Sequence, residues 1–309
     1  MTCPAPSEGQ GLFPRALMPF VDPGSIVTFM TNVTDSHYDA AAGVKAQSVL
    51  LTVLGRYVLG RDVLVGTSSV LDVLTSVGVG EHATRSALDR MVRRGLLTKH
   101  RHGRRTYVGL TSRAEAILQD GHVRIWRTGA VESSWDGTWT LLSFSFPDSW
   151  QKQRHELRAR LQWAGFGSLQ GGLWVSPSTR DVTDVLDGVE GSDKVRVFYS
   201  RAESGMDVPA MLRDAWDIAG IADRYAQFLD RWNDPGSRAG GALATQLVLV
   251  TEWLEVIRQD PRLPLEHLPA DWPAAPAQRL FRALHDQLDP VARMEAGERL
   301  DLRATNSEA

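Results

Sequence analysis

The stretch whose reading decides the fold runs from His82 to Thr111 and reads HATRSALDRMVRRGLLTKHRHGRRTYVGLT. Its hydrophobic period changes half-way. In the first part Thr84, Ala87, Leu88 and Met91 recur at i, i+3, i+4 and i+7, the apolar stripe of an amphipathic helix that Gly95 ends. Beyond Gly95 the period is two. Residues 96–100 and 105–110 predict two strands joined by a tight turn in RHGR around Gly103, with Thr106, Val108 and Leu110 facing inward and Tyr107 outward. From Glu81 to Arg113 stand nine Lys/Arg against two acids, a net +7, while the rest of the chain sums to −10 (25 basic against 35 acidic). A basic island on an acidic body implies a localised anionic partner.

The flanks supply the context. Upstream, Leu50, Val53, Leu54, Tyr57 and Val58 fall at helical spacing, and DVLV is short and β-branched enough for a strand. Thr67 to Ser69 offers an N-cap for VLDVLTSVG, with Gly78 as its stop. Downstream, Ser112 and Glu115 form a capping box that opens the helix RAEAILQDGHVRIW. Helix, short strand, two helices, two-stranded ribbon, helix is the order of a winged helix-turn-helix.

Opposite its apolar stripe the central helix presents His82, Arg85, Ser86, Asp89, Arg90 and Arg93. Arginine donates two parallel hydrogen bonds to guanine N7 and O6 in a major groove, and Ser or His reaches bases or phosphates. Arg85, Ser86 and Arg90 are therefore expected to read sequence. The hairpin adds Lys99, Arg101, His102, Arg104 and Arg105, placed to lie against the phosphate backbone or enter a minor groove and mainly to supply affinity. A solvated charged face would show the same composition; the order of elements favours double-stranded DNA.

Length and composition set the outer bounds. A chain of 309 residues calls for two or three domains. Cys3 is the sole cysteine, which excludes an intrachain disulfide and a cysteine-based metal cluster. The start has no basic segment leading into a long apolar run, and LATQLVLVTEWLEVI is interrupted by Thr, Gln and Glu. A soluble cytoplasmic protein without membrane contact is expected.

The remaining pattern is an α+β, multidomain one. Residues 1–42 read as a loose N-terminal arm, 43–127 as the winged helix-turn-helix, 128–204 as a ferredoxin-like middle domain and 205–309 as an all-helical C-terminal domain. RTGAVESSWDG reads as the linker into the middle domain. There TWTLLSFSF, a helix SWQKQRHELRARLQW capped by Ser149, short strands at FGSL and LWVS, a helix at TRDVTDVLDG and the strand KVRVFY give β-α-β-β-α-β. Beyond Gly205, MLRDAWDIAGIADRYAQFLDRW, ALATQLVLVTEWLEVIRQD and AQRLFRALHDQL carry helical periodicity.

Catalytic constellations are thin. GVGEHA formally fits G-x-G-x-x-A, but Lys99 occupies the place where a dinucleotide fold needs an acid, about 20 residues on. No H-E-x-x-H, G-x-S-x-G or P-loop occurs, and His100 and His102 sit among arginines that would repel a cation. No catalytic residue, metal site or cofactor is assigned.

Four stretches together resemble the PaaX family of repressors, named for phenylacetate catabolism: SVLLTVLGRYV, the segment from GVGEHA to YVGLT, ELRARLQWAGFGSLQGGLWVSP and DPRLPLEHLPADWP. The resemblance implies the three domains above and a homodimer on a palindromic operator, released by an aromatic acyl-CoA such as phenylacetyl-CoA. For such an effector Trp163, Phe166 and Trp174, with Arg154, Arg158 and Arg160 beside them, offer an aromatic slot with cations for phosphates. The same residues serve equally as domain core and a solvated helix face, the commoner use of such groups. The middle domain also resembles a small CRISPR-associated nuclease fold, which opens the alternative of a metal-dependent nucleic-acid-processing enzyme. Those nucleases carry an aspartate at the end of the first strand, whereas FSFPDSW places Asp148 after Pro147.

Overall fold

The computed structural model describes residues 45–131, 135–179, 181–233 and 241–305; the arm expected at 1–42 and part of the linker, 132–134, lie outside them. The chain opens with α1 (Ala46–Tyr57), β1 (Val63–Gly66), α2 (Thr67–Ser76) and α3 (Glu81–Arg93). A hairpin of β2 (Leu97–His102) and β3 (Arg105–Leu110) follows, then α4 (Ser112–Val123), which ends in a π turn at Arg124–Thr128. Thr84, Ala87, Leu88 and Met91 are buried, as their spacing predicts. Gly95 closes α3 at φ +67.

The helix starts differ from the sequence reading. Gly66, extended at φ −64, is the N-cap of α2, so Thr67 to Ser69 lie inside the first turn, where Ser69 Oγ donates back to Gly66 O. The cap of α4 is Thr111, whose hydroxyl accepts from Ala114 N, one residue before the expected capping box.

The second part has β4 (Trp139–Phe144), α5 (Gln151–Trp163), β5 (Gly167–Ser168), β6 (Leu173–Ser176), α6 (Thr183–Leu186) and β7 (Val195–Ser200). Its sheet runs β5-β6-β4-β7, antiparallel throughout. The N-cap of α5 is Trp150, without a side-chain cap, in place of Ser149. The last part comprises α7 (Val208–Ala215), α8 (Ile218–Asn233), α9 (Gly241–Arg258) and α10 (Ala274–Arg299), which runs through Pro290.

One element was not foreseen. β8 (Leu302–Ala304) follows α10 and pairs antiparallel with β1, so the last described residues complete the N-terminal sheet in the order β2-β3-β1-β8. The stretch expected to be all-helical therefore ends in a strand. That strand explains a second difference: Tyr107, expected outside, is 4% exposed. It does face away from Val108, but Asp301, just before β8, covers it and accepts from its hydroxyl at 2.9 Å.

The cores do not follow the boundaries drawn from sequence. One continuous core takes Leu50, Val53 and Leu54 of α1 and Met91 of α3 together with Tyr225, Leu247, Trp253 and Phe281 of the C-terminal helices. At its centre Trp253 stacks on Phe281 at 4.8 Å with an 11° tilt, an arrangement that adds to the apolar burial. Thr52 and Thr251 hydroxyls meet at 2.7 Å across the same seam. The middle sheet keeps a separate core on one face, while its other face, through Trp139 and Val175, packs Val208 and Leu212 of α7. The expected linker is partly fastened: Ala130 is buried and its N–H donates to Gln278 on α10.

Candidate nucleic-acid interface

With Thr84, Ala87, Leu88 and Met91 anchored, the outer face of α3 carries His82, Asp89 and Arg93, exposed, and Ser86, half-buried. Arg85 and Arg90 flank this face on opposite sides, following the turn of about 100° per residue. Arg85 pairs with Glu81 one turn earlier at 3.1 Å, with both side chains in water. An exposed pair of this kind is readily exchanged for a stronger partner.

The hairpin register divides the expected wing residues. Lys99 opposes Val108 and Arg101 opposes Thr106, so these four side chains share the face turned toward α3. His102 opposes Arg105 and His100 opposes Tyr107, which puts them on the other face with Asp301. Gly103 at φ +58 begins the two-residue turn, and Arg104 follows it at the tip; Gly first is the pattern of a type II′ hairpin. The ten expected DNA-binding residues thus lie on one lobe in two groups. Lys99 and Arg85 line a single groove, while Arg105 is set apart and paired with Asp301 at 3.2 Å. Burial is absent at Arg105, and hydrogen bonding to Tyr107 together with the Asp301 charge strengthens its hold on the proton.

The groove adds residues that sequence reasoning missed. Thr67 and Ser68, in the first turn of α2, line it with Arg85, Asp89 and Lys99. The signal was present as hydroxyl residues opening a helix directly after a strand. It was spent on the cap, whereas first-turn N–H groups and hydroxyls also suit a phosphate.

The five residues expected to bind an effector are not brought together. Phe166 and Trp174, each 2% exposed, pack with Leu142, Leu157 and Leu161 in the middle-domain core. Arg154 turns back on the loop before its own helix, donating to Phe146 O at 2.9 Å and Pro147 O at 3.3 Å. Arg158 stands exposed on α5, and Arg160 is buried on Glu156 and the Asp187 carbonyl. These residues do not form one slot: Phe166 and Trp174 are taken up by the middle-domain core and Arg160 by its own partners.

Trp163 and Phe166 both border a surface cleft, and Trp163 also lines a second one. The second is a narrow cleft, about 90 Å³, between α1, α4 with its π turn, and α9, which Trp163 closes. Leu51, Gly55, Ile117, Trp126 and Leu254 give it an apolar wall. Arg258 lies over the Trp163 ring at 5.5 Å, where burial weakens its hold on the proton, and burial likewise pushes the neighbouring Glu255 carboxyl up. At the back of α1, Arg56 donates to His285 Nε2 at 2.8 Å and pairs with Asp289.

Asp148 stands fully exposed in the loop after β4, with Arg154 at 3.8 Å. Among the described residues no three His, Cys, Asp or Glu side chains come together as a metal-binding group. Likewise no described helix is long and apolar enough to cross a membrane.

Comparison with known proteins bears on this arrangement. Residues 45–114 match the family profile described as PaaX-like protein, 132–212 the PaaX protein central Cas2-like domain, and 216–296 the PaaX-like protein C-terminal domain. The chain belongs to the PaaX family. Over 270 residues it is 27% identical to the transcriptional repressor PaaX of Escherichia coli K12, covering 83% of this chain and 84% of that one. Its fold is shared with the uncharacterized protein Rv0674 from Mycobacterium tuberculosis, at a TM-score of 0.56 and 24% identity over 81% of this chain and 98% of the other. In this PaaX family member the first profile ends just past the wing, and the last stops before β8.

Proposed function

We propose that the chain is a sequence-specific DNA-binding transcriptional repressor, built as a winged helix-turn-helix, a ferredoxin-like middle domain and a helical C-terminal part. The observation that carries this is the pairing of α3, whose outer face bears Arg85, Ser86, Asp89, Arg90 and Arg93, with a hairpin bearing Lys99, Arg101 and Arg104 beside it. The winged-helix reading rests on the element order through α4 and the β2-β3 ribbon; the ferredoxin-like reading rests on the β5-β6-β4-β7 order. The likeness to the Escherichia coli repressor supports regulation over catalysis, and among the described residues Asp148 belongs to no group of three or more metal-ligating side chains.

In this reading two copies set their α3 helices in successive major grooves of a palindromic operator. The effector is an aromatic acyl-CoA such as phenylacetyl-CoA, its acyl group seated in the cleft that Trp163 closes. It acts by preferring one arrangement of the lobes, as any ligand that shifts an equilibrium must. The protein works in the cytoplasm. Footprinting over the chain's own upstream DNA tests the proposal. Two protected half-sites about 10–10.5 bp apart, released by phenylacetyl-CoA, are expected. Uniform cleavage with the protein in excess would refute the operator, and protection indifferent to the thioester would refute the effector.

A further inference from the structure

Asp301 is held through its backbone N–H, its carbonyl and one carboxylate oxygen by parts of the DNA-facing lobe. Its N–H donates to Ser69 Oγ at 3.1 Å, and its carbonyl accepts from Gly66 N at 2.8 Å. Its Oδ2 takes both the Tyr107 hydroxyl at 2.9 Å and Arg105 Nη1 at 3.2 Å. The approach is close: a Cβ on Gly66 would lie 3.1 Å from Asp301 Cβ and Oδ2, so a side chain there would push Asp301 aside by a few tenths of an ångström. The preceding turn is fastened as well: Arg299 donates to Ser76 Oγ at 3.3 Å and to Asp72 O at 3.2 Å, both on α2. Thr305 N closes the far end of β8 on Asp62 O at 2.9 Å.

This much fastening for a residue before a three-residue strand calls for a reason besides stability. Arg105 remains 72% exposed and Asp301 33%, and an ion pair so wet adds little to folding. What the contact does is place a carboxylate on an exposed cation of the hairpin.

We propose that Asp301 is a positioning residue for the wing: it fixes β3 through Tyr107 and occupies Arg105, withholding one cation from DNA. This rests on the reading of the hairpin as a DNA-binding wing. Because Asp301 follows α10 directly, movement of that helix against β1 alters the hold on Arg105. The C-terminal helices thereby gain a direct mechanical route to the wing, without passing through the middle domain.

The test is the salt dependence of binding of the full chain to a scrambled duplex, for Asp301→Asn, Arg105→Gln, their combination and Arg104→Gln. Asp301→Asn keeps an oxygen for Tyr107 and frees Arg105. It is expected to steepen the slope of log K against log salt by about 0.9 and to tighten binding at 0.1 M about eightfold, the value of one phosphate contact. Arg105→Gln is expected to cost little when Asp301 is present and about eightfold in the Asp301→Asn background, because only there does Arg105 engage a phosphate. Equal costs in the two backgrounds, or an Asp301→Asn protein that binds no tighter at an unchanged urea midpoint, would overturn the proposal. If Asp301→Asn lowers that midpoint, the comparison of Arg105→Gln with Arg104→Gln decides alone. Loss of binding as large at 105 as at 104 overturns it, and a much smaller loss at 105 upholds it. Wild-type protein with no salt-dependent binding would sink the DNA-binding reading itself.

Discussion

Replacing both Arg101 and Arg104 by glutamine isolates the electrostatic part of DNA binding. Both side chains are exposed, and neither forms a salt bridge among the described residues; Arg101 makes one long bond, to Gly103 O at 3.4 Å. Their loss therefore strands no buried partner, and folding stability is expected to hold within about 0.5 kcal/mol. If each guanidinium meets one phosphate, each contributes about 0.9 to the slope of log K against log salt, so the pair contributes about 1.8. Referred to 1 M salt, that is a loss of about 200-fold at 50 mM, narrowing to about 20-fold at 200 mM. Fluorescence anisotropy with labelled duplex across that range measures both. The losses should match on operator and scrambled DNA, since phosphate contacts carry no sequence. A gap that stays constant with salt, or that appears on one duplex only, would refute the assignment of the wing tip to the backbone.

The other expectations are briefer. Arg85→Ala should cost about 1–3 kcal/mol on operator DNA and relax preference at one base position, read by competition with single-base variants of the site. An equal loss on every sequence would place Arg85 on phosphate. Trp253→Ala empties the centre of the shared core, where Phe228 and Phe281 touch the ring, and should cost about 3–5 kcal/mol in urea unfolding. A cost under about 1 kcal/mol would mean that the two ends of the chain do not share that core. His285 is held neutral chiefly by burial, which depresses its affinity for a proton, and Arg56 donates into its Nε2. As pH falls through about 6.5 the unfolded chain takes up this proton first, so folding stability drops on acidification. The thermal midpoint of wild type should fall more between about pH 7.5 and about pH 5.5 than that of His285→Gln; parallel curves would contradict it.

Local periodicity made the lobe proposed to face DNA legible. The i, i+3, i+4, i+7 stripe of Thr84, Ala87, Leu88 and Met91 fixed which face of α3 is free, and the alternation after Gly95 marked the hairpin. The β-α-β-β-α-β order of the middle part followed from the same two periods. What escaped was non-local. β8 is three residues long, too short for a pattern, and its partner β1 lies more than 230 positions away. Tyr107 was expected outside and Arg105 on DNA with the rest of the wing for the same reason, since Asp301 covers one and pairs with the other. α10 continues through Pro290, where sequence alone suggests a stop, because Phe281 before it and Ala292 and Ala296 after it are held in the common core. The aromatic slot failed differently: Phe166 and Trp174 have the right chemistry for a ligand, and packing claimed them first.

The central claim is that this surface reads sequence as well as charge. It is tested most directly by titrating the purified protein into its own labelled upstream DNA at about 0.15 M salt, against unlabelled operator and scrambled competitor. The account predicts that scrambled DNA competes at least about 1,000-fold more weakly, the lower range for specific regulators. It also predicts that phenylacetyl-CoA abolishes the difference. Displacement by both competitors at similar concentrations would leave only a polyanion-binding surface and contradict the account.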